Sequence, residues 1–201
     1  MFEFNIPIEK LKEKFEVTAI FYKDEEENLC RKNCQIVRKG IVKEPEAIIV
    51  MMNPGSCKAI GEYKENERCS CKMDPTQKQL AILMEYAKLD CIQIENLSDI
   101  CSGSSTVFWD TYNSMKGTKS IFGENRIKEI GNLNVPIIYA WGKSAMGMAN
   151  KIDINNSLQG KKVFGYKKEG TDYYQRPLYQ FMKAEDKEAW IRVVGDYLKE
   201  S

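Results

Sequence analysis

The stretch from Ala47 to Met52 constrains the fold most, because six apolar residues follow one another without polar alternation. A short run of this kind, closed by turn residues, is typical of a strand buried on both faces of an α/β sheet. It ends in Asn53-Pro54-Gly55-Ser56, which combines an amide, a fixed bend, an unhindered backbone and a hydroxyl. Ligands of open parallel sheets bind at this end of the strands, so the turn is the first candidate site. The same residue types also form ordinary turns.

Helix and strand patterns alternate along the rest of the chain. They predict helices at 8–15, 75–87, 124–130, 144–150 and 183–200, and strands at 16–22, 34–37, 47–52, 91–97, 135–141 and 161–166. Asp74, Pro75 and Gln77 predict a capped start for the second helix. Long loops are expected at 57–73 and 101–123, and a turn at 155–156. The closing helix is expected to bury one face, formed by Trp190, Val193, Val194, Tyr197 and Leu198.

This order of elements predicts a single α/β domain over residues 1–201, built as a three-layer sandwich with a mainly parallel central sheet. Residues 1–40 would form an N-terminal helix and an edge hairpin, and residues 45–201 the core. A length of 201 residues suits one domain of this kind.

The charge balance excludes an overall electrostatic attraction to nucleic acid or to an acidic membrane, since 30 basic and 29 acidic residues leave a net charge of +1. Only local patches could bind phosphate. No apolar run approaches the roughly 18 residues that span a bilayer, and the first residues lack the order of a signal peptide. We therefore expect a soluble cytoplasmic protein with no membrane partner.

Cysteine and histidine usage narrows the chemistry. Seven cysteines, an odd number, favour a reducing compartment and free thiols. Only Cys30 and Cys34 approach the spacing of a zinc-binding pair, so we expect no metal and no cofactor, with a metal-dependent redox protein as an alternative. Histidine is absent, which removes imidazole acid–base catalysis and Ser-His or Cys-His nucleophile pairs.

Two further strand ends carry polar residues. Asn96 ends the strand after the first helix, and parallel strands would place it on the same rim as Asn53, where paired amides could read the edge of a ligand. Both could equally be ordinary turn residues. Gly142, Lys143 and Ser144 follow the third apolar strand and predict an anion site at a helix start. The alternative is a simple helix start with the lysine in solvent.

A last candidate segment carries Tyr174, Arg176, Pro177 and Leu178. A basic residue among aromatic and amide side chains could stack on a base and contact phosphate. It could equally belong to a packed loop with half-buried tyrosine rings.

Taken in order, MMNPGS, DPT at 74–76, IENL, AWGK and RPLY at 176–179 resemble the motifs of a bacterial family of unknown function. Its members carry Met-Asn-Pro-Ser, Asp-Pro-Thr, a strand with Asn, Ala-Trp-Gly and a closing His-Pro-Leu-Tyr. The similarity covers most of the chain.

More distantly, the same order resembles the uracil-DNA glycosylase superfamily. There a Gly-x-Asn/Asp-Pro loop positions water, a Leu-Leu-Asn strand end reads the base, a Trp-Gly segment begins a helix, and a His-Pro-Ser-Pro-Leu loop contacts DNA. The matching residues here are Asn53-Pro54-Gly55, Asn96, Trp141-Gly142-Lys143 and Pro177-Leu178. The histidine of the last motif is absent, and Tyr174 or Arg176 lies in its neighbourhood.

This resemblance implies a uracil-DNA-glycosylase-like fold and a cytoplasmic DNA-repair or nucleotide-binding role. Asn53 would orient water and Asn96 would bind the base edge. Arg176 would stabilise the leaving base or hold a phosphate, and Ser56, Lys143 and Ser144 would hold the backbone. Two other readings stay open: a nucleic-acid-binding protein without catalysis, and an enzyme or binder of free nucleotides.

Overall fold

The computed structural model describes residues 2–114, 124–151 and 153–201. Within these ranges the helices are α1 Ile8–Lys14, α2 Pro75–Ala87, α3 Ser105–Ser114, α4 Glu124–Asn132, α5 Met146–Lys151, α6 Ile154–Ser157 and α7 Ala184–Glu200. The strands are β1 Phe15–Lys23, β2 Leu29–Arg38, β3 Ala47–Met51, β4 Arg68–Ser70, β5 Cys91–Asn96, β6 Ile137–Tyr139 and β7 Val163–Phe164. A single 3₁₀ turn, Lys143–Ala145, precedes α5.

The described strands form one sheet in the order β4-β1-β2-β5-β3-β6-β7. Strands β5, β3, β6 and β7 are parallel, whereas β4, β1 and β2 pair antiparallel and β2 joins β5 antiparallel. The expected α/β class is confirmed, but the sheet is mixed rather than mainly parallel. The reason is that the N-terminal hairpin does not stay apart as an edge: its second strand pairs with the centre of the sheet.

The sheet is covered on both faces, as the apolar run at β3 predicts. Ala47 and Ile49 pack into a core formed with α1, α2 and α7, while Ile48 and Val50 pack into a second core below α3 to α6. All four are fully buried because successive strand residues point to opposite faces.

The strand order changes direction at β3. The chain passes from β3 to β5 on one side and then returns to place β6 on the other side. In open α/β sheets the crevice at such a reversal, beyond the carboxyl ends of the strands, is where ligands bind.

Helix α2 begins as the sequence predicts. The Asp74 carboxylate accepts a hydrogen bond from the Gln77 backbone N–H at 2.8 Å, and the Gln77 side chain accepts one from the Asp74 N–H at 2.8 Å. Pro75 occupies the first turn. This reciprocal cap satisfies two backbone donors that a helix start leaves free.

We expect Asp74→Ala to lower the free energy of unfolding by about 1 kcal/mol, because it removes the cap acceptor. Asp74→Asn should leave stability nearly unchanged, since an asparagine amide oxygen caps equally well. Urea unfolding followed by circular dichroism measures both. Equal losses in the two variants would contradict a capping role.

Several local predictions are wrong. The segment 57–73 is not a plain loop, because β4 lies within it and the backbones of Cys71 and Ala59 pair in an isolated antiparallel β-bridge. The described part of the segment 101–123 contains α3, and residues 115–123 of this predicted loop lie outside the described residues. Residues 155–156 lie in α6 rather than in a turn. In α7 the buried positions include Ile191, while Val193 is 38% exposed, so the buried face is rotated from the expected one.

Among the described residues, no helix combines the length and apolar character needed to cross a membrane.

Candidate functional site

A cleft of ≈ 420 Å³ lies beyond the carboxyl ends of β3 and β6. Its walls come from five separate segments of the chain, which share this rim of the sheet. They are Met51, Met52, Asn53, Gly55 and Ser56; Asp74, Pro75 and Thr76; Ser102, Gly103, Ser104, Ser105 and Phe108; Ala140 and Trp141; and Arg176, Pro177, Leu178, Tyr179 and Gln180.

Asn53 is half-buried in the turn after β3, and a hydrogen bond from its side chain fixes its position. Its amide Nδ2 donates to the Ser102 carbonyl at 2.9 Å. Its oxygen Oδ1 has no hydrogen-bond partner among the described residues. The turn is fixed from below, because the backbone N–H groups of Leu97 and Ser98 donate to the carbonyls of Met51 and Met52. The side chain therefore presents a positioned acceptor to the cleft.

Arg176 reaches the same cleft from the opposite end of the sequence. Its guanidinium is exposed, lies 5.9 Å from the Tyr179 ring, and forms no ion pair with a described residue. The backbone beneath it is well anchored: Gln175 N–H donates to Tyr166 at 2.7 Å, and the Gln175 carbonyl accepts from Trp190 Nε1 at 3.0 Å. An unpaired cation on an anchored loop is suited to binding an anion.

The serine-rich segment after β5 was predicted only as a flexible connection, yet it forms one wall. Ser102 to Ser105 line the cleft where the ten-residue helix α3 begins, and Ser104 accepts from the Val107 N–H. Gly103 permits a close approach, since a Cβ there would lie 3.1 Å from the Cβ of Ser56. Hydroxyls and backbone N–H groups at a helix start favour a negatively charged ligand group.

The structure also places a carboxylate in the cleft. Among the described lining residues only Asp74 carries one. Burial raises its pKa above the ordinary value, against the hydrogen bonds from the Gln77 and Thr76 backbones and the charge of Arg31. Sequence patterns identified Asp74 as a helix cap and gave no indication that it also lines the cleft.

Other predicted site residues lie outside the cleft. Asn96 is on the expected rim, opposite Met51, but it is fully buried, and neither polar atom of its amide has a hydrogen-bond partner among the described residues. Pro54 is buried and Lys143 is exposed, and neither is among the residues that line the cleft. The pairing of two amides over one ligand is therefore not formed.

The remaining candidates support the walls. Gly142, with a φ of +80°, lies against the Arg176 side chain at 3.5 Å from the position of a Cβ. Ser144 Oγ contacts Met52 Sδ at 3.5 Å. Tyr174 packs edge-on against Trp141, with ring centroids 5.4 Å apart, and is not among the residues that line the cleft.

No group of three or more Cys, Asp or Glu side chains in the described residues is arranged to hold a metal ion. Comparison of the chain with protein-family models, with curated proteins and with solved structures gives no match.

Proposed function

We propose that the cleft binds a nucleobase, presented by nucleic acid or by a nucleotide, and hydrolyses its N-glycosidic bond. The observation that carries this proposal is that Asn53 and Arg176, far apart in sequence, line one cleft at the rim of the sheet. We also propose a uracil-DNA-glycosylase-like fold and a DNA-repair role, from the resemblance of the ordered motifs.

The size and lining of the cleft support a flat heterocyclic ligand. A volume of ≈ 420 Å³ lies in the range of small-ligand pockets. Met51, Phe108 and Trp141 supply apolar surface, and the aromatic rings are fixed by neighbours. A base from a duplex would have to leave the stack to enter.

The polar wall supports a phosphate beside the base. Arg176 forms no ion pair with a described residue, and the hydroxyls of Ser102, Ser104 and Ser105 lie at the start of α3. Guanidinium groups bind phosphate oxygens through charge-assisted hydrogen bonds, and a helix start adds backbone donors. Because the net charge is only +1, the electrostatic attraction for phosphate would have to come from this local patch.

The proposed reaction adds water to the sugar carbon as its bond to the base nitrogen breaks, and the base leaves with the bonding electrons. Asn53 Oδ1 accepts a hydrogen bond from the water and orients it. Asp74 takes the proton, a role that its buried carboxylate can fill and an amide cannot. Arg176 stabilises the negative charge that develops on the base.

We expect Asn53→Ala and Arg176→Ala each to reduce cleavage of a uracil-containing oligonucleotide by about 100-fold, the usual effect of removing a positioned group. Strand breaks after alkaline treatment report the abasic product on a denaturing gel. Asn150→Ala and Arg192→Ala are matched controls, because both side chains are exposed outside the cleft. Equal losses in the controls, or no cleavage by the parent protein of any altered base, would contradict the reaction.

Asp74→Asn tests the base separately, because it keeps the helix cap and removes the carboxylate. We expect a loss of about 100-fold in rate with unchanged ligand affinity. In the parent protein the rate should fall as the pH drops through a pKa above the ordinary carboxyl value, since only the carboxylate accepts a proton. The variant should lose this limb of the pH profile; an unchanged profile would exclude Asp74 as the base.

A second candidate, binding of free nucleotides, is favoured by the near-balanced charge and by a cleft sized for one ligand. Titration of the protein with a deoxynucleotide and with a single-stranded oligonucleotide at two salt concentrations separates the two. Oligonucleotide affinity should fall steeply with salt, because phosphate contacts release counterions. Tight nucleotide binding with a shallow salt dependence would favour the second candidate.

A further inference from the structure

A second cleft, of ≈ 390 Å³, lies beside β1 and β4, away from the first cleft beyond β3 and β6. Its walls come from α1, from the start of β1 and from the segment that follows β4. The described residues that line it all differ from those that line the first cleft. Its volume lies within the range of small-ligand pockets. The ligand of this second cleft can therefore be inferred independently of what the first cleft binds.

The floor of the second cleft is apolar. Phe15, Val17 and Met73 line it and are buried in the core that α1, α2 and α7 form with the sheet. Ile60 also lines this cleft and is 61% exposed. Its position is fixed, because its backbone N–H donates to the Ser70 carbonyl at 2.8 Å. A ligand with an apolar body would remove this apolar surface from water, which favours its binding.

Lysines supply the charge of the second cleft, which is lined by Lys12, Lys39 and Lys72. Lys12 pairs with Glu9 at 3.0 Å, whereas Lys39 and Lys72 are exposed and form no ion pair with a described residue. Among the described lining residues only Glu16 carries a carboxylate. Because successive strand residues point to opposite faces, this carboxylate is directed away from the face that forms the cleft floor. The second cleft therefore presents unpaired positive charge beside an apolar floor.

We propose that the second cleft binds a small organic carboxylate with an apolar body, such as an alkyl or aryl acid. The apolar body covers Phe15, Val17 and Met73, and the carboxylate pairs with the ammonium groups of Lys39 and Lys72. A lysine ammonium is a compact charge on a flexible stem, so two of them can meet one carboxylate without a fixed geometry. This site exists whether or not the first cleft binds a nucleobase.

Calorimetric titration of the full chain with three probes separates the two parts of this recognition. The probes are hexanoate, which has both an apolar body and a carboxylate, 1-hexanol, which lacks the charge, and acetate, which lacks the body. We expect hexanoate to bind at least about 10-fold more tightly than either of the others, because only hexanoate uses both the floor and the lysines. Equal affinity for hexanoate and hexanol, or for hexanoate and acetate, would overturn the proposal.

Lysine variants test the charged part. Lys39→Gln and Lys72→Gln should each weaken hexanoate binding by about five-fold, the upper range for an exposed ion pair. Lys128→Gln is the matched control, because Lys128 is exposed in α4 on the opposite face of the sheet and should not change the affinity. All three side chains are exposed, so the variants should fold like the parent protein. Equal affinity of the parent protein and of both cleft variants would overturn the proposal.

Ile60→Ala tests the apolar part and should weaken hexanoate binding by about three-fold, because it removes apolar contact area. Val107→Ala is its control, since Val107 is 57% exposed and lines neither cleft. Equal losses in the two variants would contradict an apolar contact at Ile60.

Two further measurements decide where and what the second cleft binds. Arg176→Ala should leave hexanoate affinity unchanged, and a loss would place the ligand in the first cleft and overturn the proposal. In amide NMR spectra, hexanoate should shift the signals of Val17 and Lys72 more than that of Asn53. Analytical ultracentrifugation should show no dimer that depends on Ile60. A dimer that Ile60→Ala abolishes would assign this face to self-association instead.

Discussion

Replacing Arg126 by alanine is expected to lower the free energy of unfolding by about 3–5 kcal/mol, the usual cost of leaving a buried ion pair without one partner. The guanidinium donates to the buried carboxylates of Glu95 and Asp99, the latter at 2.6 Å. Asp99 also accepts from the Tyr22 hydroxyl at 2.8 Å. Without the arginine, two carboxylates whose side chains are 1% and 3% exposed would lose the cation that both contact.

Chemical unfolding of the parent protein and of Arg126→Ala measures this loss, with Arg192→Ala as the matched control. Arg192 pairs with Glu188 within α7, and both side chains are more than 40% exposed, so little loss is expected. Burial raises the pKa of both Glu95 and Asp99, so protonation at low pH should reduce the difference between parent and variant. A loss for Arg126→Ala no larger than for Arg192→Ala would contradict a buried network.

Replacing Trp190 by alanine is expected to have a similar cost, about 3–5 kcal/mol, because it leaves a large cavity between α7 and the sheet. Trp190 is fully buried, and its indole N–H donates to the Gln175 carbonyl at 3.0 Å. Trp190→Phe keeps most of the volume and removes only that hydrogen bond, at a cost of about 1 kcal/mol. Thermal or urea unfolding measures both.

Val193→Ala provides the control for Trp190, since Val193 lies on the same helix and is 38% exposed. Its substitution should change stability by less than about 0.5 kcal/mol. Trp190→Phe allows a second measurement. The indole N–H holds the Gln175 carbonyl, and Gln175 directly precedes Arg176. We therefore expect the variant to lose more free energy of ligand binding than free energy of unfolding. Equal effects of Trp190→Ala and Val193→Ala would show that the indole is not a core anchor.

Local chemistry made part of this structure predictable from sequence. The apolar run at β3 contains no polar residue that could face solvent, so the strand was expected to be buried on both faces of the sheet. The cap at Asp74 and Gln77 depends only on residues three apart. Local patterns also placed the Asn53 turn at a strand end and identified Arg176 as a basic residue among aromatic and amide side chains.

Features that depend on pairing between distant segments were not predictable. Nothing in Cys34-Gln35-Ile36-Val37 indicates that these residues pair with Ile94 and its neighbours rather than form an edge. The place of Asp74 in the cleft, in addition to its place at the helix cap, depends on how α2 packs against the sheet. Asparagine is common in turns, yet Asn96 is fully buried at the end of β5.

The sheet has a further consequence for self-association. Its two outermost strands among the described residues are β4, with three residues, and β7, with two. Short terminal strands offer few unpaired backbone groups for another chain to extend, which is a common protection against aggregation. Contacts between copies of this protein should therefore form through helical faces and loops rather than by continuation of the sheet.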